Sequence, residues 1–162
     1  MAITILDSRP TSGAARGMID ALSARLADIT GSDGRRHFTP DALAPRACFL
    51  LAMEDGEPVG CGALRPLDLS DAFDVGEIKR MYAHLPGRGI GSRLLAALEQ
   101  RAREYGYQSL RLETRKVNQA AVAFYLRHGY AVCDNYGPYA GRDEAVCFEK
   151  RLVRIAEHGS QA

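Results

Sequence analysis

A run of alternating glycines, in the stretch GRGIGSRLL that begins at Gly87, directly precedes an apolar-periodic segment. Glycine weakens a helix end by up to ~1 kcal/mol relative to alanine, so this pattern indicates a need for bare backbone. The first amides of a helix lack intrahelical partners and lie at the positive end of its dipole. Gly87, Gly89 and Gly91 therefore predict a phosphate-binding turn. Ser92 would add a hydroxyl and Arg88 a charge-assisted hydrogen bond.

Two common phosphate-binding motifs do not fit this turn. A P-loop needs lysine followed by serine or threonine after its last glycine, and the chain has Ser92 and Arg93 there. The dinucleotide fingerprint GxGxxG fails in both frames, although Glu113 lies about where a ribose-binding carboxylate would follow the next strand. Such a fold also places this turn after its first strand, whereas several predicted strands precede it here. A coenzyme A diphosphate site and a plain tight turn against the sheet remain open.

The elements that position this turn follow from hydrophobic periodicity. Residues 3–6 predict a strand, and apolar residues at helical spacing then predict a core-facing helix that ends at Gly31: Met18, Ile19, Leu22, Leu26 and Ile29. Short connections predict antiparallel strands over 48–54, 59–67 and 75–84. The remaining predicted elements are a helix over 90–105, a strand over 108–114, a helix over 118–128 and strands over 130–133 and 145–152. This order predicts an α/β fold of the α+β type, a mixed sheet with helices on both faces.

Composition sets the class of protein. The 162 residues are 46% hydrophobic and 25% charged, which fits a single domain over 1–154 with a frayed tail over 155–162. A net charge of +1 provides no strong field to hold nucleic acid or an anionic membrane.

No segment reads as a signal peptide or membrane span, so we expect a cytoplasmic protein. The four cysteines are widely spaced and no histidine is at ligand spacing, so we expect reduced thiols and no metal.

Four motifs in register resemble those of the GNAT superfamily of acyl-CoA-dependent N-acetyltransferases: EIKRMY, GRGIGSRLL, LRLET and NQAAVAFYLRHGY. The resemblance covers residues 47–152, with one departure at Pro86, where the family pattern has Gln or Arg. It implies a GNAT-like, mostly antiparallel twisted sheet with a splayed parallel pair in the middle. It also implies acetyl-CoA as acyl donor, and as acceptor the primary amine of a small molecule, a peptide N-terminus or a lysine.

The resemblance assigns roles within these motifs. The implied cofactor-binding residues are Met81, Tyr82, Ala83, Arg88, Gly89, Ile90, Gly91, Ser92 and Asn118. The glycine turn would hold the diphosphate, and Met81 with the main chain to Ala83 would face the pantetheine. Asn118 would hydrogen-bond the cofactor, and Tyr125 would lie near the thioester sulfur.

The strand before the turn breaks its own alternation. Val75, Ile78 and Met81 are spaced by three, which strict strand alternation does not allow on one face. A β-bulge would reset the phase and part this strand from residues 108–114, leaving a slot for pantetheine and a free N–H for the thioester carbonyl. Alternatively, Val75 or Ile78 faces the other covered side of the sheet.

Acyl transfer to an amine needs a base, because deprotonating an amine of pKa about 10.4 at pH 7 costs roughly 4.6 kcal/mol. Glu77 is the candidate, since it lies in the strand that would hold the thioester. The alternative is a surface carboxylate paired with a basic neighbour. Glu113 is the second candidate, although Arg111 and Arg115 share its face and would pair with it. His84 ends the same strand as Glu77 and could relay a proton.

Tyr125 follows Asn118 by seven residues, so the two share a helix face. A thiol has a pKa of about 8.5 and a phenol of about 10, so Tyr125 would hydrogen-bond the departing thiolate rather than fully protonate it. Tyr136, Tyr139 and the loop over 31–46 would border the acceptor pocket. The alternative for YGPY is a rigid turn with stacked rings.

Two functional classes fit the residues. The first is an N-acetyltransferase that works by direct attack in a ternary complex, since the motifs contain no cysteine nucleophile. The second is a non-catalytic acyl-CoA-binding regulatory module. The presence of both Glu77 and Tyr125 favours the enzyme. A homodimer formed through a sheet edge is compatible with either class.

Overall fold

A computed structural model of the chain describes residues 2–8, 13–30, 45–68, 74–84 and 87–152. The strands are β1 (Ile3–Ser8), β2 (Cys48–Glu54), β3 (Glu57–Pro66), β4 (Val75–Ala83), β5 (Ser109–Arg115), β6 (Ala131–Cys133) and β7 (Ala145–Arg151). The helices are α1 (Gly13–Thr30), α2 (Ile90–Tyr105) and α3 (Gln119–Arg127), and a 3-10 turn spans Gly137–Tyr139. The predicted order of elements is confirmed. Pro86, the tail over 155–162 and all but the last two residues of the loop over 31–46 lie outside the described residues.

The seven described strands form one sheet in the order β1-β2-β3-β4-β5-β7-β6. The pairs β1–β2, β2–β3, β5–β7 and β6–β7 are antiparallel, and β4 is parallel to β5. A parallel pair needs a crossover connection, and α2 supplies it. The β4–β5 ladder registers three residue pairs and ends at Glu77 and Arg111, whereas β5 pairs with β7 along its whole length. The predicted mixed sheet with a central parallel pair is confirmed.

The chain divides into two compact units, and the first comprises residues 1–65 and 78–98. Its core lies between α1 and one face of β2 and β3. The buried members of this cluster are Met18, Ile19, Phe49, Leu51, Cys61 and Ala63. Met18 and Ile19 thus face the core as predicted, while the side chains of Leu22, Leu26 and Ile29 lie outside the described part of the chain.

Alternation along β3 places Gly60 and Gly62 on the face opposite to this cluster, where α2 covers them. A Cβ atom at Gly60 would lie 2.7 Å from the Tyr82 carbonyl oxygen and 2.8 Å from Cγ2 of Ile90. One at Gly62 would meet the Met81 sulfur at 2.7 Å. The two glycines therefore allow α2 to approach the sheet closely, and helices cover both faces as predicted.

The second unit comprises residues 66–77 and 99–162. On one face of β7, the ring of Phe148 lies 6.0 Å from that of Tyr125 on α3, and Tyr130 packs edge-on against Tyr125 at 5.7 Å. The other face carries a cluster of Tyr136, Tyr139, Ala145 and Cys147. β7 is thus buried on both sides.

Glu99 on α2 is buried in the same unit, a position that the apolar periodicity of the helix does not predict. Its carboxylate accepts hydrogen bonds from the Tyr130 hydroxyl at 2.8 Å and from Lys150 Nζ at 3.1 Å. Lys150 also donates to the carbonyl of His128 at 3.0 Å. The buried charge is therefore paired and hydrogen-bonded, which offsets its desolvation. Within the described part of the chain, no helix combines the length and apolar character needed to cross a membrane.

We expect Gly60→Ala to lower the free energy of unfolding by about 1–3 kcal/mol, because the added methyl group overpacks against a main-chain oxygen and the start of α2. The matched control is Gly17→Ala on α1, where nothing lies within 4 Å of the added Cβ. This change should raise the free energy of unfolding by up to about 1 kcal/mol. Urea denaturation measures both, and equal stability of Gly60→Ala and wild type would contradict the close packing described for α2.

Candidate functional site

The glycine turn opens the backbone at the start of α2. Gly87 and Gly89 have φ of 83° and 76°, in the left-handed region that favours glycine, and both are exposed. The first intrahelical bond runs from Arg93 N to Gly89 O at 3.1 Å. The amides of residues 90–92 therefore precede the helical hydrogen-bond ladder and point from the positive end of a 16-residue helix. Such a helix start is suited to binding an anion.

Arg88, between the two glycines, is ion-paired with Glu54. Its Nη2 donates to Glu54 Oε2 at 2.6 Å, with Arg88 44% exposed and Glu54 buried. The sequence predicts that Arg88 contacts phosphate but does not predict this acidic partner, which ends β2 and lies 34 positions earlier. The pair attaches the turn to the edge of β2. Arg93 adds a second attachment, since its Nη2 donates to the carbonyl of Ile3 at 2.8 Å.

Irregular backbone interrupts β4 at Arg80, whose φ is 58°. A non-glycine residue with positive φ inside a strand is uncommon and interrupts the regular alternation of side chains between Ile78 and Met81. No positive φ separates Val75 from Ile78, so these two side chains face opposite sides of the sheet, which is the alternative that the sequence left open. The Cys61 thiol donates to the Arg80 carbonyl oxygen at 3.1 Å. Burial raises the pKa of Cys61 to about 12, against the opposing effect of the Arg80 charge, so the thiol keeps its proton. Cys61 thus supports the irregular backbone, a role that the sequence does not reveal.

The end of β4 is only partly covered. Met81, Tyr82 and Ala83 are half-buried, and the Tyr82 hydroxyl lies 3.3 Å from Nδ1 of the exposed His84. The amide of His84 donates to the carbonyl of Val59 at 2.7 Å. His84 is therefore a surface side chain at a strand end.

Glu77 is buried, with 1% of its surface exposed, so the surface-carboxylate alternative is wrong. Its Oε2 accepts a hydrogen bond from the Tyr136 hydroxyl at 2.7 Å. The rings of Tyr136 and Tyr139 are perpendicular with centroids 5.5 Å apart, and both residues are buried. Sequence reasoning placed Glu77 and Tyr136 in different parts of the site, and the structure brings them into direct contact.

Tyr125 and Asn118 lie on and before α3. Asn118 caps the helix, since its Oδ1 accepts from the amide of Ala121 at 3.3 Å. The Tyr125 ring is buried, and burial raises its pKa well above the usual value. No described residue hydrogen-bonds its hydroxyl.

The proposed base and Tyr125 lie on opposite faces of the sheet. Glu77 is in register with Arg111, and Arg111 is in register with Glu149, so these three side chains share one face. Phe148 precedes Glu149 and points to the other face, where it packs against Tyr125.

The second candidate base, Glu113, has Arg115 Nε 3.9 Å away, as the sequence predicts. Arg111 Nε donates to Glu149 at 2.9 Å, a contact that the sequence does not predict. The cross-strand register explains this contact, because Glu149 is directly opposite Arg111 on β7.

All four cysteines are free thiols, three of them buried and Cys133 half-buried. Among the described residues, no group of three or more His, Cys, Asp or Glu side chains could hold a metal ion.

The sequence matches the acetyltransferase (GNAT) family over residues 17–130. A protein of Azospirillum brasilense named IAA acetyltransferase is 33% identical over 153 residues, which cover 93% of this chain and 98% of that protein. A candidate acyl-CoA N-acyltransferase of Klebsiella pneumoniae has a similar crystal structure, with a TM-score of 0.77 and 35% identity over 93% of this chain and 98% of the other.

The PaiA N-acetyltransferase of Thermoplasma acidophilum, solved in complex with coenzyme A, shares the fold with a TM-score of 0.71 at 20% identity, covering 94% of this chain and all of that one. The family match spans more than half of the chain, and the Azospirillum relative is similar over nearly its whole length. The chain is a member of the GNAT family of acetyltransferases.

Proposed function

We propose that this chain transfers an acetyl group from acetyl-CoA to a primary amine by direct attack in a ternary complex. The observation that carries the proposal is the open glycine turn before α2, where Gly87 and Gly89 have positive φ and nothing lies within 4 Å of either missing Cβ. Membership of the GNAT family supports it, as does the coenzyme A complex of the Thermoplasma acidophilum neighbour.

The diphosphate of acetyl-CoA would bind to the amides of Gly89, Ile90, Gly91 and Ser92. Glu54 engages Nη2 of Arg88, so the other guanidinium N–H groups would face the phosphates. A carboxylate that fixes one edge of a guanidinium orients the remaining donors. This arrangement supplies a positive contact although Pro86 replaces the Gln or Arg of the family pattern.

The pantetheine arm would lie along the end of β4. The left-handed residue at Arg80 turns the following peptide out of the regular ladder, and the partly exposed main chain from Met81 to Ala83 would receive the arm. A main-chain N–H in this segment would donate to the thioester carbonyl and stabilise the negative charge that develops on its oxygen. The side chain of Asn118 would add its amide N–H, since its oxygen caps α3.

The chemical step would form a C–N bond between the amine and the thioester carbonyl carbon and break the C–S bond. Glu77 would accept the proton that the amine loses, directly or through a water molecule. The leaving thiolate would accept a hydrogen bond from Tyr125, whose raised pKa keeps the proton on the phenol. The products are an N-acetylated amine and coenzyme A, whose thiolate takes a proton from water. Placement of Glu77 and Tyr125 on opposite sheet faces keeps the base away from the leaving group.

The acceptor class remains as broad as the sequence predicts: a small amine, a peptide N-terminus or a lysine. Tyr136 and Tyr139 are buried against each other, so they would shape an acceptor pocket from behind rather than line it.

A cytoplasmic location, the absence of a bound metal and the formation of a homodimer stay predictions.

The proposal is tested by free-thiol release from acetyl-CoA across a panel of amino acids, polyamines, aminoalkyl compounds and peptides. We expect thiol release that requires one class of amine and yields one N-acetyl product per thiol. Glu77→Gln should lower kcat/KM by about 10²- to 10⁴-fold, the usual contribution of a general base. Calorimetric binding of acetyl-CoA without amine-dependent thiol release would instead support the regulatory module.

Tyr125→Phe should lower kcat about 10-fold or more, because a hydrogen bond to a charged group contributes about 1.5–3 kcal/mol. The phenyl ring preserves the packing against Phe148, so the affinity for acetyl-CoA and the melting temperature should change little. Steady-state kinetics and calorimetry measure the two effects. Unchanged turnover in the variant would remove Tyr125 from the mechanism.

Replacement of Cys61 tests the support of β4. Cys61→Ala removes the donor to the Arg80 carbonyl and should raise KM for acetyl-CoA by about 2- to 10-fold, the value of one neutral hydrogen bond. Cys61→Ser keeps a donor at the same position and is the matched control. If both variants had the same KM, the thiol would contribute only packing.

A further inference from the structure

We propose that Tyr136 is a positioning residue for Glu77, holding its carboxylate ionised and fixing its plane, rather than a residue that contacts the acceptor. The inference rests on the proposed function, in which Glu77 is the base. Tyr136 then acts in proton transfer through Glu77, because its hydroxyl contacts that carboxylate directly.

The contact is a short hydrogen bond between buried groups. The Tyr136 hydroxyl donates to Glu77 Oε2 at 2.7 Å, and both residues are buried. A hydrogen bond to an ionised carboxylate is roughly twice as strong as one between neutral groups. Desolvation favours the neutral form of a buried carboxyl group, so a donor at this position has a large effect on its ionisation.

The donor is held in place by its surroundings. The Tyr136 ring packs edge-on against Tyr139, and the Tyr139 amide donates to the carbonyl of Tyr136 at 2.9 Å. Asn135, which precedes Tyr136, is also held in place, since its Nδ2 donates to the carbonyls of Arg142 and Ala145 at 3.0 and 3.3 Å. The hydroxyl therefore reaches Glu77 from a rigid turn, as required of a residue that fixes a carboxylate.

The proton of this pair belongs to the phenol. Burial, followed by the negative charge of Glu77 and the hydrogen bond to it, raises the pKa of Tyr136 well above its usual value. The phenol therefore keeps its proton and is the donor in this contact. Tyr136 favours the form of Glu77 that can accept a proton.

Other charged and titratable groups approach Glu77 from each neighbouring element. On β5 its register partner is Arg111, which donates to Glu149, and Glu113 lies two residues further. On β7 the nearest is Cys147, whose pKa burial raises to about 11. Lys79 and Arg80 follow on β4, and Tyr139 lies behind Tyr136. The interaction that Tyr136→Phe removes is the hydroxyl donor itself, and these groups remain.

The test is the pH dependence of Tyr136→Phe. Without the donor the carboxylate is easier to protonate, so the acidic limb of the kcat/KM profile should move to higher pH by about one unit or more. KM for acetyl-CoA should stay within a few-fold of wild type. A purely structural role would lower activity at every pH and leave the limb in place, which would overturn the inference.

The matched control is Tyr130→Phe. It removes the same kind of contact, a buried tyrosine hydroxyl donating to a buried glutamate, here Glu99 at 2.8 Å. Tyr130→Phe should lose stability to a similar extent but keep the acidic limb of wild type. If the acidic limb of the kcat/KM profile moved equally in both variants, the inference would also be overturned, because the shift would then result from the loss of stability.

A direct measurement separates this inference from the proposed function. The protonation midpoint of Glu77, followed by carbon-13 NMR of labelled glutamate and assigned with Glu77→Gln, should rise in Tyr136→Phe whether or not the protein acetylates an amine. An unchanged midpoint overturns the inference even if turnover is normal. A raised midpoint together with no turnover in wild type overturns the proposed function alone.

A second variant keeps the test valid if Tyr136→Phe does not fold. Fluorotyrosine at position 136 preserves the ring and makes the phenol a stronger donor. The midpoint of Glu77 and the acidic limb should then move to lower pH, opposite to the phenylalanine variant. Movement to higher pH, or none, would contradict the assignment.

Discussion

A buried strand tolerates charge and irregular backbone only where neighbouring groups compensate for them, and β4 contains both. Glu77 places a carboxylate in the interior, and Arg80 has a left-handed backbone inside the strand. Each feature costs free energy by itself. A side chain from a neighbouring element supports each one: the Tyr136 hydroxyl donates to Glu77, and the Cys61 thiol donates to the Arg80 carbonyl. A sheet forms without a buried carboxylate and without a left-handed residue. We therefore attribute these two features of β4 to function rather than to folding.

A few specific contacts also fix the position of the start of α2. Gly60 and Gly62 allow the helix to approach β3, and Arg88 and Arg93 attach its N-terminal end to β2 and β1. The helix start is therefore fixed in position, with its first amides ahead of the intrahelical hydrogen bonds. A rigid set of donors of this kind binds an anion without a cost of reorganisation.

Much of this could be predicted from the sequence because it depends on local patterns. Periodicity and turn residues predicted the order of strands and helices. The glycine turn was identifiable because positive φ limits the choice of residue. The resemblance to GNAT enzymes, carried by four short motifs, predicted the family that the comparisons confirm.

The contacts that tune the site could not be predicted in the same way. Glu77 and Tyr136 are 59 positions apart, and Arg88 and Glu54 are 34 apart. Such pairs form only when the sheet register and the packing of loops are known. The pairing of Arg111 with Glu149 shows the same limit, since it follows from the β5–β7 register. The proposed role of Cys61 likewise depends on the neighbouring strand.

The central claim is that the open amides at the start of α2 hold the diphosphate of the acyl donor. The most direct test is an amide chemical-shift titration with coenzyme A and, separately, with pantetheine, which lacks the diphosphate. The account predicts that the amides of residues 89–92 shift with coenzyme A and stay in place with pantetheine, while those of residues 81–83 shift with both. Saturating coenzyme A that left the amides of residues 89–92 unmoved would contradict it.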